Sequence, residues 1–100
     1  MSTITYRGRP TPVPPKDPDS TVKYGFDWTD YLAGEVILSS QWIVDGLTVE
    51  SSSYDTSTTS VLLSGGVAGS RYTVTNRITF SGTGGNETDD RSMIIPVRQL

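Results

Sequence analysis

From Gly69 to Phe80 the residues alternate. Tyr72, Val74, Asn76, Ile78 and Phe80 fall on one parity, and Arg71, Thr73, Thr75, Arg77 and Thr79 on the other. Side chains of a strand point to opposite faces in turn, so this pattern sets an apolar face towards a core and a polar face towards water. A helix would scatter both sets around its axis. Composition agrees: Thr and Ser together number 27 and Ala only 2. Thr, Val and Ile suit a pleated, half-buried surface, whereas Ala favours helix. The expectation is an all-β chain with this stretch as its central strand.

The remaining apolar residues fall into shorter runs of the same period. Residues 22–28 place Val22, Tyr24, Phe26 and Trp28 on one side. Residues 29–34 suit a single helical turn with Gly34 as a left-handed exit, and Trp28, Tyr31 and Leu32 plug one end of the core. Residues 35–44 alternate with Val36, Leu38, Ser40, Trp42 and Val44 inward. Ile37 and Ile43 then face outward, unless a bulge re-aims one of them. Asp45 and Gly46 signal a tight turn into a strand over 47–53, with Leu47 and Val49 inward. A short strand follows at 61–63, and residues 81–86 read as a long flexible loop. Residues 91–97 close the domain with Met93, Ile95 and Val97 on one parity; Pro96 places that end at an edge.

With an N-terminal edge segment around Ile4, this makes about seven antiparallel strands at the spacing of an immunoglobulin-like β-sandwich. The predicted core comprises Phe26, Trp28, Leu32, Leu38, Trp42, Leu63, Tyr72, Val74, Ile78, Phe80 and Ile95. Tyr72, two residues before Val74 and after a Gly-rich bend, fits a tyrosine corner, in which the phenol caps a neighbouring backbone loop. The sandwich is expected to span residues 21–100. Residues 1–20 read as an extended N-terminal arm, because five prolines at positions 10, 12, 14, 15 and 18 remove backbone donors. Such a segment is either a flexible terminus or an arm that docks on a neighbouring subunit through Tyr6, Arg7, Arg9, Pro10 and Pro12.

Several functions are disfavoured by residue type. The chain has no Cys and no His, which removes disulfides, thiol catalysis, His-based triads and the usual zinc sites. A Cys-free sandwich held by burial alone suits folding in a reducing cytoplasm. The first twenty residues contain no apolar run of signal-peptide type, and no run is long enough to span a bilayer. A net charge of −3 disfavours nucleic-acid binding. The carboxylate pairs (Asp17 with Asp19, Asp27 with Asp30, Glu87 with Asp89 and Asp90) match no cation-binding loop and read as solvated loops. The Gly-rich runs at 64–66 and 82–85 lack the Lys and helix start of a phosphate loop. Neither an enzymatic site nor a cofactor is expected.

From residue 14 onwards the order of motifs carries more. Pro14, Pro15, Lys16, Asp17, Pro18 and Asp19 lead into Val22, Lys23, Tyr24, Gly25, Phe26, Asp27 and Trp28. Leu32, the strand start at 34–37, Trp42, the turn at Gly46 and Leu47, and the run 61–66 follow. Gly69, Tyr72 and Val74, and then Asp90, Arg91 and Ser92, complete the series. This order resembles the small immunoglobulin-like virion proteins of tailed bacteriophages described as fibre–tail adaptors. The resemblance implies a non-enzymatic structural protein of the virion tail, linking tail tube, neck or baseplate components to fibres in several copies. It brings no catalytic, cofactor or metal residues, and neither nucleic acid nor membrane as a partner. The expected contacts are the arm, the outward Ile37 and Ile43, and the loop bearing Gly84 and Asn86. An alternative is a carbohydrate-binding module for a host surface, which needs exposed aromatics; Tyr6, Tyr31 and Tyr54 are the residues not committed to the core.

Overall fold

The computed structural model describes residues 2–4, 11–82 and 84–100. Among these residues eight strands and one helical turn follow in the order β1 (Ser2–Ile4), β2 (Thr11–Pro12), β3 (Thr21–Asp27), α1 (Thr29–Leu32), β4 (Ile37–Val44), β5 (Thr48–Tyr54), β6 (Thr58–Ser64), β7 (Arg71–Gly82) and β8 (Gly85–Pro96). They form two four-stranded sheets, β1-β3-β6-β5 and β2-β8-β7-β4. The six longer strands pair antiparallel, and the two short N-terminal strands add in parallel. The orders correspond to the two sheets of an immunoglobulin domain, with the N-terminal segment contributing an edge to each. The all-β sandwich expected from the sequence is present.

The central strand forms as its alternation requires. Val74, Asn76, Ile78 and Phe80 are buried, and Arg71, Thr73 and Arg77 are exposed. Facing them across the sandwich are Tyr24, Phe26, Val61 and Leu63, with Met93 and Ile95 beside them on β8. Trp28 and Leu32 close one end and are also buried. Trp42 is only partly buried, stacked on Phe26 with ring centroids 6.0 Å apart. Each fully buried large side chain contributes roughly 1.5–3 kcal/mol by area.

Tyr72 makes the corner. Its hydroxyl accepts the backbone N–H of Val67 at 2.8 Å. Its ring lies over Gly46, where the backbone has φ +91° and a Cβ would sit 2.7 Å from Tyr72 Cδ1. Glycine is thus required at 46 both for the left-handed turn and for the ring.

Two expected core and contact positions exchange places. Ile37 lies opposite Phe80 and Ser39 opposite Thr79, so Leu38 is an extra residue in β4. This bulge reverses parity at the start of the strand. Ile37 is buried at 6% exposure and joins the core; Leu38, predicted to be core, is 45% exposed. Beyond the bulge the expected parity holds, and Ile43 faces out. A second register shift lies between Val49 and Ser51, and Val49, expected inward, is exposed.

The last hairpin is tighter than the sequence predicts. β7 runs to Gly82 and β8 starts at Gly85, with Ser81 opposite Asn86. Glu87, Asp89 and Asp90 therefore stand on a strand and not in a loop.

Residues 11–16 run along β8 and do not project from the domain. Val13 N–H donates to Ile94 O and Lys16 N–H to Pro96 O, and Arg98 N–H donates back to Lys16 O. Prolines fit here because an edge strand needs donors on one side only, and those donors fall on Val13 and Lys16. Val13 is buried, and Lys16 is only 1% exposed. The Lys16 ammonium donates to Gly65 O at 2.8 Å and to Asp17 O at 2.9 Å. Burial pulls its pKa below the ordinary amine value, with Asp17 and Asp19 opposing that shift. These contacts join residues 11–16 to the sandwich.

Candidate interaction surfaces

The interior is closed by a polar hub. Asn76 Oδ1 accepts from Trp28 Nε1 at 3.0 Å and from Thr59 Oγ1 at 2.7 Å. Its Nδ2 donates to Ser40 Oγ at 2.9 Å and to Gln41 O at 3.2 Å. The amide therefore meets both sheets and the end plug, with all of its main capacity used.

Two of the carboxylates expected in solvated loops, Asp17 and Asp27, serve with Asp55 as local caps. Asp27 accepts from the hydroxyl and backbone N–H of Thr29. Asp55 accepts from the N–H groups of Ser57 and Thr58. Asp17 accepts from the N–H groups of Asp19 and Leu100 and so ties the two terminal segments together. Each bond favours the ionised form, and the carboxyl pKa of all three residues lies below the ordinary value. Among the described residues no cluster of three or more acidic side chains could hold a metal ion.

Three surfaces remain for contact. The first is the outer face of the β2-β8-β7-β4 sheet. Arg77 there pairs bidentately with Asp90 at 2.8 and 2.9 Å. Thr75 bonds Ser92, and Thr79 bonds Thr88. Ile43 stands beside Thr75 on this face, and Pro12 beside Ile94.

The second is the end around α1. Tyr31 packs edge-on against Trp28 and Phe80, with centroids 5.6 and 5.7 Å apart. The Arg91 guanidinium lies over Trp28 at 4.2 Å and donates to Asp27 O. The Asp89 carboxylate, followed by desolvation, raises the pKa of the Tyr31 phenol.

The third is the flank where β4 and β5 form adjacent edges of opposite sheets. Tyr54 is exposed, and its hydroxyl donates to Leu38 O at 3.0 Å. Beside it an open depression of about 290 Å³ is lined by Ser40, Ser52, Ser53 and Tyr54. Leu38, Val49 and Tyr54 are all large and exposed on these two strands.

Of the contact residues expected from sequence, Pro12, Ile43, Gly84 and Asn86 are exposed. They do not converge: Pro12 and Ile43 lie on edge strands at opposite sides of one sheet, and Gly84 and Asn86 lie at the β7–β8 turn. Ile37 is removed from the set by its burial. Tyr6, Arg7, Arg9 and Pro10 lie outside the described residues. The sequence reading missed Leu38, because a bulge leaves no mark in an alternating run. It also missed Arg91, although a cation near Trp28 and Tyr31 is a recognisable pairing.

Together these features define an immunoglobulin-like sandwich in which Asp17, Asp27 and Asp55 cap local turns, and whose edges, α1 end and outer sheet face carry exposed side chains. The chain belongs to the family described as podophage GP4 fiber-tail adaptor protein gp77, whose family model matches residues 16–96. The match begins at the buried Lys16 and ends with the last residue of β8. Neither a curated protein nor a solved structure matches the chain.

Proposed function

We propose that this chain is a non-enzymatic structural protein of a phage virion, joining tail, neck or baseplate components to fibres through protein–protein contacts. Membership of the fibre–tail adaptor family over residues 16–96 carries this reading. The exposed apolar side chains on β4 and β5 support it, since contact with other subunits would cover them. Several copies surround a symmetric tail, and each presents Pro12, Leu38, Ile43, and the turn bearing Gly84 and Asn86. Tyr6, Arg7, Arg9 and Pro10 reach a neighbouring subunit. The chain is made in the host cytoplasm, which its Cys-free composition suits.

Mass spectrometry of purified virions tests this reading. The chain is expected in the particle at a copy number that divides by the tail symmetry, and particles assembled without it are expected to lack fibres. Absence from purified particles, or a full fibre complement without it, overturns the reading.

A further inference from the structure

The charges of this chain are unevenly placed along it. Between Lys23 and Arg71 there is no Lys or Arg, while Asp27, Asp30, Glu35, Asp45, Glu50 and Asp55 all lie in that interval. The interval builds α1, β4, β5 and β6. Three of the six carboxylates bracket one strand: Asp45 precedes β5, Glu50 lies within it and Asp55 follows it. Glu50 accepts from Ser64 Oγ and so stands on the outer face of that sheet. Among the described residues the cation of the sheet is Lys23 on β3, which is two strands inward from β5 and lines a shallow outer depression with Ser51, Ser52 and Ser53.

β5 is also an open edge. Among the described residues β6 is its only sheet neighbour, and all seven of its side chains are exposed. Edge strands present a row of unpaired N–H and C=O groups, which proteins usually guard with Pro or Lys. β5 contains neither, and its run Ser51, Ser52, Ser53 offers small side chains that leave the backbone accessible. The other edges differ. β2 contains Pro12 and is followed by Pro14 and Pro15, β1 spans three of the described residues, and β4 has a bulge whose Leu38 carbonyl is taken by Tyr54.

We propose that β5 accepts an extended, positively charged segment of a partner tail protein as an added strand. Main-chain bonds along residues 51–54 supply the pairing, and Lys or Arg side chains of the incoming segment meet Asp45, Glu50 and Asp55. The same carboxylates oppose pairing of β5 with β5 of a second copy, because like charges then face each other. This inference rests on the adaptor reading and names the partner chemistry of one of its surfaces.

The test uses assembled tails. Amide hydrogen exchange over residues 48–54 is expected to be at least tenfold slower in tails than in the free chain. Asp45→Lys combined with Glu50→Lys is expected to lower incorporation into tails at least tenfold, while the thermal midpoint of the free chain stays unchanged. A photo-crosslinking residue in place of Ser51 is expected to join a Lys- or Arg-bearing segment of another tail protein. Unchanged exchange over 48–54 in tails that contain the chain, or a crosslink to β5 of a second copy, overturns the inference and leaves the adaptor reading standing. Tails that lack the chain overturn the adaptor reading itself.

Discussion

Across the sandwich, the indole Nε1 of Trp28 donates to Oδ1 of Asn76, and the same oxygen accepts Thr59 Oγ1 from the opposite sheet. All three residues are buried. Asn76→Ala removes the acceptor and leaves two buried donors unpaired. Each unsatisfied group costs about 1–3 kcal/mol, so the expected loss is roughly 2–6 kcal/mol. For a domain of this size that lowers the thermal midpoint by about 8 °C or more. Thr59→Val removes one donor and leaves the acceptor with Trp28, so a loss of only about 1 kcal/mol is expected. Urea denaturation of the two variants checks the ranking, and equal losses would refute the hub.

The bulge in β4 predicts opposite outcomes for neighbouring residues. Ile37→Ala opens a cavity beside Phe80 and is expected to cost about 2–5 kcal/mol. Leu38→Ser alters an exposed position and is expected to stay within about 0.5 kcal/mol of the parent. A parity unbroken by the bulge would reverse the two effects. Denaturant midpoints of the single variants decide between the arrangements.

The same pair shows where sequence reading stops. On β7 the faces were legible because ten consecutive residues, 71–80, keep one alternation, and any slip would bury Arg77. On β4 the run Ile37, Leu38 is apolar on both parities, so either register satisfies the pattern and only pairing with Phe80 and Thr79 selects one. The place of residues 11–16 was hidden for another reason. Proline-rich sequence reads as unpaired, yet an edge strand needs few donors, and a lysine is rarely buried unless carbonyls such as Gly65 O await it. The Ser-rich β5 carries too little apolar signal to show which side it leaves open.

Acid should loosen the fold through its caps. Asp17, Asp27 and Asp55 accept local hydrogen bonds, and Asp90 is held by Arg77, so all four carboxyls bind a proton more weakly folded than unfolded. Stability from such groups is fully present above the ordinary carboxylate pKa of about 4 and is lost as pH falls through the lower folded values. The urea midpoint is therefore expected to be level near neutrality and to fall below about pH 4. Asp55→Asn keeps one acceptor oxygen and removes the charge. Its midpoint should lie below the parent's at neutral pH and converge with it in acid. Curves that stay parallel would show that Asp55 contributes nothing to the acid transition.

The last prediction concerns Gly46 and the ring of Tyr72. Gly46→Ala places a methyl group against the ring at a residue already held at φ +91°. Backbone strain of this kind costs about 1–3 kcal/mol before the ring is displaced. Moving the ring also threatens the bond from Val67 N–H to the Tyr72 hydroxyl, which anchors the corner before β7. Tyr72→Phe alone removes that bond and is expected to cost about 1 kcal/mol. If the clash acts through the ring, the double variant Gly46→Ala with Tyr72→Ala should be more stable than the sum of the single losses predicts. A double-mutant cycle by chemical denaturation measures the difference. Strict additivity would assign the whole cost of Gly46→Ala to its backbone angle and none to the corner.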